Sequence, residues 1–327
     1  MTEKRPYLSI VMVNWNTRED LAGCLRAIPE AVEGIRYEVI VIDNHSMDGS
    51  QEMLNLEFPW VTALSLRKNL GYAVGVNMGI RSARGSHVLL LNPDSVPTRG
   101  ALATLVGYLE SHPETDILGG RLIGRNGTSH MEAYYVPFPT FSSALFQYTS
   151  LVRISRRLHL PPERLCDTAV RQVPGACLLA RRDTMEEVGP FDEGFFVWFE
   201  DVDWCFRAHL KGKGLAICEE ALFVHEGGRS FQGLSDWTRK KLFYRSLLRY
   251  FRKHHGKTRW IALGGVLVAE QTIAILISGA LAVVFPREKG RLRRAGERLE
   301  YLGFLVRAFK DPSYTEGSRA TPAKGIP

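Results

Sequence analysis

The chain has 327 residues, 45% hydrophobic and 24% charged, which excludes a wholly disordered chain, a collagen-like fibre and a polytopic membrane protein. This length is enough for one large α/β domain or for two domains of ordinary size. The net charge of +7 is the sum of an acidic body and a basic tail: residues 1–238 hold 23 basic and 29 acidic side chains (−6), and residues 239–327 hold 19 and 6 (+13).

The first 120 residues alternate apolar runs with helical patterns. Strands are predicted at Tyr7–Val13, Tyr37–Ile42, Val61–Leu66 and Val88–Leu91, with one helix beginning after Thr17 and another at Gly71–Ala83. Because these strands are apolar on both faces and helices separate them, we expect a mostly parallel sheet flanked by helices. Ligands of such sheets bind beyond the carboxyl ends of the strands, where Asn14, Asp43 and Asp94 lie.

The middle of the chain has a weaker pattern. Residues from about 120 to 170 are rich in Gly and Pro and predict a loop-rich insertion. Beyond it, the pattern predicts a strand at Val173–Ala180, a helix at Asp201–Leu210, and short strands at Leu215–Cys218 and Leu222–Val224, the last ending at His225.

Asp94 and Asp43 each follow a predicted strand, and each carboxylate has a structural and a functional interpretation. Asp94, in LLLNPDS, is either a turn residue or a ligand for Mg²⁺ or Mn²⁺, which favour oxygen ligands and substrate phosphates. Asp43, at the end of IVID, is either a turn residue or an acceptor for an N–H of a nucleotide base. Asn69, Gly71 and Asn77 lie between strands three and four, so KNLGYAVGVNMG is not the dinucleotide motif, which should follow the first strand.

Three acids and a histidine follow in the second half. Glu200, Asp201 and Asp203 lie in WFEDVDW at a predicted helix start. In one interpretation the helix dipole stabilises these three acids there. In the other, the aromatic neighbours raise the pKa of one of them, which then serves as a general base. His225, in FVHEGG, is either a structural histidine or a metal ligand.

These residues lie in segments that together resemble family 2 glycosyltransferases, which have the GT-A fold. The matching segments span about residues 8–230 and are SIVMVNWNTRE, EVIVIDNHSMDGS, LRKNLGYAVGVNMGI, HVLLLNPDS, VPGACLLARR, GPFDEGFFVWFEDVDWCFR and FVHEGGRS. With Asn-Pro-Asp and FEDVDWC, the chain looks most like the bacterial rhamnosyltransferase-like branch of that family.

The resemblance implies a role for each matching position. Asp43 would read the pyrimidine ring of a nucleotide sugar, and Asp201 would be the catalytic base, with Glu200 beside it. Asn92-Pro93-Asp94 stands where the family has a metal-binding Asp-X-Asp, so Asp94 is the carboxylate ligand that is left, with His225 completing the site. The nucleotide sugar would contact Asn14, Asn16, Asp43, Asn69, Gly71, Asn77, Asn92 and Asp94. The acceptor and the transferred sugar would lie near Gly175, Trp198 and Asp203.

The resemblance also implies an organisation and an activity. Residues 1–235 would form the transferase domain, with a nucleotide-sugar half (1–120) and an acceptor and catalytic half (121–235), before a helical tail (236–327). The activity would be inverting, Mg²⁺- or Mn²⁺-dependent transfer from a pyrimidine nucleoside diphosphate sugar to a glycan or polyprenyl-linked acceptor in envelope polysaccharide synthesis. dTDP-rhamnose is the favoured donor, and UDP-galactofuranose, UDP-hexose or UDP-N-acetylhexosamine are the alternatives.

The tail differs in composition from the body. Residues 237–255 interleave basic and apolar side chains without an acid, as in helices that lie on an anionic membrane surface. Ile261–Phe285 is long enough to span a membrane, but Glu270 near its middle costs about 3 kcal/mol there. With a second basic helix at Arg287–Lys310, we favour peripheral or re-entrant attachment at the cytoplasmic face of the plasma membrane over one span. The alternatives are a soluble helical hairpin and a homo-oligomer surface.

Other function classes agree less well with the sequence. The five cysteines form no CxxC pair and the N-terminus has no signal-peptide layout, so we expect a reducing, cytoplasmic setting. A nucleotidyltransferase should carry a Gly-rich, basic loop after the first strand, and VNWNTRED is not one. Nucleic-acid binding by the tail would leave WFEDVDW without a purpose, so we expect no nucleic-acid partner.

Overall fold

The computed structural model describes residues 5–129, 134, 136–149, 170, 172–225, 227, 233–284 and 290–310. The strands in this part of the chain are β1 (Leu8–Asn14), β2 (Tyr37–Asp43), β3 (Thr62–Ser65), β4 (His87–Leu91), β5 (Ser95–Pro97), β6 (Ile117–Ile123), β7 (Cys177–Arg181) and β8 (Leu215–His225). The helices are α1 (Arg18–Ala31), α2 (Ser50–Glu57), α3 (Tyr72–Ser82), α4 (Ala101–Ser111), α5 (Phe141–Tyr148), α6 (Arg182–Val188), α7 (Glu200–Leu210), α8 (Asp236–Val284) and α9 (Gly290–Lys310). The predicted insertion and the end of the tail lie largely outside the described residues.

The described strands form one sheet in the order β3-β2-β1-β4-β7-β6-β8-β5. β3, β2, β1 and β4 run parallel, as predicted for the first four strands. β7 is antiparallel to β4 and β6, β8 is parallel to β6, and β5 is antiparallel to β8 at the edge. The second half of the sheet is therefore mixed, and the apolar pattern could not show this because burial on both faces hides the direction of a strand.

Strand β6 was not predicted, because two glycines interrupt its apolar pattern. A Cβ on Gly119 would lie 2.6 Å from the ring of Tyr134, and one on Gly120 would lie 2.3 Å from the ring of Phe223. The glycines therefore make room for two fully buried aromatic side chains.

Strands β7 and β8 also differ from prediction. β8 is one strand where two were predicted, because a shift in its register between Gly120 and Arg121 of β6 absorbs the extra residues. β7 begins at Cys177 instead of Val173, after a turn in which the N–H of Cys177 bonds to the carbonyl of Pro174. The described cysteines are free and buried, and Cys166 lies outside the described residues.

The described chain has one core around the sheet and a second one in the tail. The first includes the buried faces of α1, α3 and α4. The second joins α8 and α9 to Ala144 of α5 and to Phe195 and Phe199 of the loop before α7, and a small third cluster joins Phe196 and Val197 of the same loop to Leu242. Residues 236–255 therefore lie against the body, with Leu247, Leu248 and Phe251 fully buried.

Helix α8 changes character at Gly256, where the backbone has a φ of 79°. Beyond this break, Trp260, Leu263 and Leu267 still pack against α9. Farther along, the apolar side chains are exposed: they are those of Ile273, Leu276, Ile277 and Leu281. The helix contains an 18-residue window with a mean hydropathy of 1.9, and 17% of that window is buried. By length and composition, the helix is therefore long and apolar enough to cross a membrane.

Candidate active site

A cavity of about 360 Å³ lies at the carboxyl ends of β1 and β4. Its wall combines these strand ends with the start of α3, the turn before β7 and the loop before α7. Most of the predicted site residues line it, namely Asn69, Gly71, Asn92, Asp94, Gly175, Trp198, Glu200, Asp201 and His225. The structure thus brings together side chains that are up to 156 positions apart in the chain (Asn69 to His225, 225 − 69).

Asp94 and His225 meet because β5 pairs with the end of β8. In that antiparallel register Ser95 lies opposite His225, which brings His225 Nδ1 to 3.3 Å from Asp94 Oδ1 and 3.0 Å from Ser95 Oγ. Burial alone would lower the pKa of His225, but the Asp94 carboxylate outweighs it and raises that pKa above its ordinary value.

The donor atoms of this pair suit a divalent cation. A carboxylate oxygen and an imidazole nitrogen lie side by side, both of them ligand types for Mn²⁺. The described residues contain no group of three or more His, Cys, Asp or Glu side chains placed to hold a metal. Asp94 and His225 would therefore hold a metal only together with ligands from a substrate, such as diphosphate oxygens.

Glu200 and Asp201 open helix α7 at the same cavity. Asp201 accepts hydrogen bonds from the N–H of Gly175 (3.1 Å) and of Val202 (2.8 Å). Burial raises the pKa of Asp201, and these backbone N–H groups oppose the shift. Glu200 is 6% exposed, and its buried Oε2 has no hydrogen-bond partner among the described residues. Burial, followed by the charge of Asp201, raises the pKa of Glu200 well above its usual range.

The two residues before this pair have left-handed backbone conformations. Trp198 has a φ of 62° and Phe199 a φ of 67°. For bulky aromatic residues this conformation costs on the order of 1–3 kcal/mol each, so surrounding contacts must enforce it. It lets neighbouring rings point to different places: Trp198 lines the cavity, whereas Phe199 packs in the core of the tail.

The tail helix supplies the contacts that hold this loop. Ser246 donates a hydrogen bond to the carbonyl of Val197 at 2.7 Å, in a buried position. Arg249 and Lys253 bind the carboxylate of Asp192 at 2.5 and 2.9 Å. Burial would raise the pKa of Asp192, but these two cations lower it to about 2. A Cβ on Gly194 would lie 1.9 Å from the guanidinium carbon of Arg249, so glycine is needed for this approach.

Asp203, predicted near the acceptor, does not line the cavity and instead joins α7 to the tail. It is fully buried and accepts from Arg207 (2.9 Å), Lys253 (2.7 Å) and His254 (2.7 Å). Burial would raise the pKa of Asp203, but the hydrogen bond from His254 and the two neighbouring cations lower it. The carboxylate thus fixes α7 two residues beyond Asp201.

Four other predicted residues lie outside the cavity wall. Asn14 is fully buried and donates to Asp43 at 3.1 Å, and Asp43 also accepts from the N–H of Ser46. Asn16 accepts a hydrogen bond from the N–H of Met47 at 2.7 Å. Asn77 donates to the carbonyl of Phe191 and accepts from the N–H of the same residue. These bonds shape the loops around the cavity, and recognition of a nucleotide base by Asp43 stays a prediction.

Tyr72 and Arg239 are among the residues of the cavity wall that were not predicted. Tyr72 donates to the carbonyl of Gly175 at 3.1 Å, while the N–H of the same glycine binds Asp201. Arg239 reaches the cavity from the first turns of α8. The basic composition of the tail was the available signal for Arg239, but nothing local indicated that the helix returns to the strand ends.

The fold and the acids of the cavity place this chain among α/β proteins with a ligand site at the strand ends, and comparison with known proteins identifies the family. Residues 9–189 match the family model described as glycosyl transferase family 2, and the chain belongs to this family. It is therefore a glycosyltransferase, as the sequence predicted, and the nucleotidyltransferase alternative finds no support.

Two curated relatives illustrate the similarity. A low-salt glycan biosynthesis hexosyltransferase of Haloferax volcanii is 25% identical over 86% of this chain and 85% of its own length. An N-acetylglucosaminyl-diphospho-decaprenol L-rhamnosyltransferase of Mycobacterium tuberculosis is 27% identical over 60% of this chain and 68% of its own.

The fold also matches solved structures. A mannosyltransferase of Pyrobaculum calidifontis, in complex with GDP-Man and Mn²⁺, superposes with a TM-score of 0.53 over 93% of this chain and 87% of that one. At 16% identity this likeness concerns the fold alone. The predicted GT-A fold is thereby confirmed.

The Asp203 cluster generates a prediction about stability. Replacing Asp203→Asn removes a buried charge from Arg207, Lys253 and His254, and should lower the free energy of unfolding at neutral pH by about 3–5 kcal/mol. Because the fold lowers the pKa of Asp203, the wild-type advantage is present above the unfolded-state pKa and is lost as pH falls through the lower folded-state pKa. Urea unfolding at pH 7 and at successively lower pH measures this difference.

The matched control is Glu57→Gln, which breaks the exposed ion pair with Arg26 (2.7 Å). It should change stability by no more than about 1 kcal/mol. Equal effects of the two substitutions would contradict the role of Asp203 as a buried anchor.

Proposed function

We propose that this glycosyltransferase moves a sugar, with inversion, from a pyrimidine nucleoside diphosphate to a hydroxyl of a glycan or lipid-linked acceptor in cell-envelope polysaccharide synthesis. One observation carries the proposal: the Glu200–Asp201 pair and the Asp94–His225 pair line the same cavity. dTDP-rhamnose is the favoured donor, since a rhamnosyltransferase is among the relatives, and UDP-sugars are the alternatives.

Asp94 and His225 would hold Mg²⁺ or Mn²⁺ at the diphosphate end of the donor. The bound metal would neutralise the negative charge that develops on the leaving diphosphate. The neighbouring Asn92 can hydrogen-bond the donor, and the exposed guanidinium of Arg239 is a further cation on the cavity wall. Asp43 would recognise the pyrimidine from the adjoining strand end.

Asp201 is the base in this proposal. The acceptor hydroxyl gives its proton to the Asp201 carboxylate as its oxygen bonds to the anomeric carbon. The bond from that carbon to the diphosphate breaks, and its electron pair leaves with the diphosphate. One displacement inverts the centre, so no covalent carboxylate is needed. Two backbone N–H groups donate to the Asp201 carboxylate and favour its ionised form, whereas Glu200 Oε2 has no donor among the described residues. In this proposal Asp201 is therefore the ionised member of the pair and Glu200 the protonated one.

The base assignment is tested by a pair of isosteric substitutions. Asp201→Asn should reduce transfer by about 10²–10⁴-fold because the proton acceptor is lost, with nucleotide-sugar binding nearly intact. Glu200→Gln, which resembles the protonated acid, should retain most of the activity. The measurement is nucleoside diphosphate release from dTDP-rhamnose, UDP-galactofuranose, UDP-glucose and UDP-N-acetylglucosamine.

The pH profile gives a second readout. Wild-type turnover should fall as pH drops through the raised pKa of Asp201, because the base is then protonated. Undiminished turnover of Asp201→Asn, or an equal loss in Glu200→Gln, would sink the assignment.

The metal assignment is tested by titration. Asp94→Ala and His225→Ala should each raise the Mg²⁺ or Mn²⁺ concentration that gives half-maximal turnover, because each removes one protein donor. His209→Ala, at an exposed histidine on α7, is the control and should leave the titration unchanged. Metal titrations that coincide for all four proteins would remove Asp94 and His225 from the site.

We also propose that α8 attaches the protein to the cytoplasmic face of the plasma membrane. The exposed apolar side chains of Ile273, Leu276, Ile277 and Leu281 support a surface-lying or inserted segment. Residues 236–255, by contrast, use their apolar face and two of their cations within the protein. The membrane contact is therefore assigned to the part of the helix beyond Gly256.

This attachment is tested with two similarly exposed leucines. Leu276 is 67% and Leu56 is 73% exposed. Leu276→Asp should greatly reduce co-sedimentation with vesicles of phosphatidylglycerol and phosphatidylethanolamine, because it places a charge in the apolar surface. Leu56→Asp, on the body, should bind as the wild type does. Equal binding of all three proteins would refute the assignment of this surface.

A further inference from the structure

A second cavity, of about 230 Å³, adjoins the catalytic acids. It shares Trp198, Glu200 and Asp201 with the first cavity, but neither Asp94 nor His225 lines it. The remaining described wall consists of Val136, Pro139, Tyr148 of α5, Gln172, Phe199, Val202 and Phe243 of the tail helix. The two cavities therefore meet at the carboxylates, and the metal-binding pair belongs to the first one alone.

Four aromatic residues line this second cavity: Tyr148, Trp198 and Phe243, which are half-buried, and Phe199, which is buried. Tyr148 of α5 and Trp198 both contact Phe243 of the tail, with ring centroids 5.4 and 6.1 Å apart. Polar groups are concentrated elsewhere on the wall, in Gln172 and the two carboxylates. The cavity thus combines apolar ring surfaces with hydrogen-bonding groups next to the proposed base.

We propose that this second cavity binds the sugar ring of the acceptor that receives the transferred sugar. The inference rests on the proposed transfer reaction and adds the place and the chemical class of the second substrate. A sugar ring has C–H faces that pack on aromatic rings and hydroxyl groups that need polar partners, and this wall offers both. A plain alkyl chain would use the rings but leave the buried Oε2 of Glu200 without a hydrogen-bond partner among the described residues, at a cost in free energy.

The orientation of the reaction supports this position. A donor whose diphosphate lies at Asp94 and His225 fills the first cavity toward the acids, so the acceptor must approach the anomeric carbon from the side away from the diphosphate. The second cavity opens on the same acids from another wall. An acceptor hydroxyl there would lie within reach of Asp201 and could supply the partner that the buried Oε2 of Glu200 lacks within the described chain.

Phe243 makes the tail part of the acceptor site. It is a residue of α8, so the helix that leads to the exposed apolar segment also forms the wall on which the sugar packs. Phe243 is a positioning residue in this proposal, because it contacts the acceptor ring and transfers no proton.

The test uses a panel of methyl glycosides of glucose, galactose, mannose, rhamnose and N-acetylglucosamine, each with the protein, Mg²⁺ and dTDP or UDP. Saturation-transfer NMR should detect at least one of them on the wild type, with the largest effect on protons of one ring face. Phe243→Leu should weaken this binding about three- to tenfold, because an aromatic surface is lost. Phe251→Leu is the matched control: it removes a buried ring of the same helix outside both cavities and should bind as the wild type does.

The experiment distinguishes a failure of the acceptor site from a failure of the proposed transfer reaction. Nucleotide binding is measured by calorimetry on the same samples, and circular dichroism checks that each variant is folded. Tyr148→Leu replaces Phe243→Leu if the latter does not fold. Nucleotide binding without any glycoside signal, or with equal signals in wild type and variant, overturns the acceptor site alone. Loss of nucleotide binding in the wild type would instead overturn the proposed reaction.

Discussion

The arrangement of the active site depends on two adjacent aromatic residues in a conformation that such residues rarely adopt. Trp198 and Phe199 turn the chain through the left-handed region immediately before α7. The turn places Trp198 on the wall of the first cavity and Phe199 in the core of the tail, and both residues line the second cavity. It also sets where Glu200 and Asp201 begin their helix. This conformation persists because Ser246 and the buried rings of α8 hold the loop from the other side.

The basic tail and the acidic body form ion pairs with each other inside the protein. Arg249 and Lys253 of the basic tail pair with Asp192 and Asp203 of the acidic body. Such buried pairs contribute little net stability compared with apolar packing, but they are costly to separate. They therefore favour one position of the tail helix against the loop before α7. The apolar side chains of Ile273, Leu276, Ile277 and Leu281, beyond Gly256, stay exposed.

What could be predicted from the sequence was local. The first four strands follow from their apolar runs. The strand-end rule selected Asn14, Asp43 and Asp94: Asp94 lies on the cavity wall, whereas Asn14 and Asp43 bond to each other outside it. The register that brings Ser95 opposite His225, and the return of α8 with Arg239 and Phe243, depend on contacts between distant segments and left no periodic signal. Asp203 shows the converse: its acidity suggested a site, but its surroundings make it an internal anchor.

The contacts between the loop before α7 and the tail lie beyond the part of the chain that the family model matches. The match ends at residue 189, before the loop of Asp192, the Glu200–Asp201 pair and the tail helix. The loop and the tail hold each other through the ion pairs of Asp192 and Asp203. A chimera that took its tail from a relative without the matching loop would lose the partners of these two carboxylates. The loop and the tail must therefore change together when such enzymes diverge, and the proposed acceptor site and membrane segment would be inherited with them.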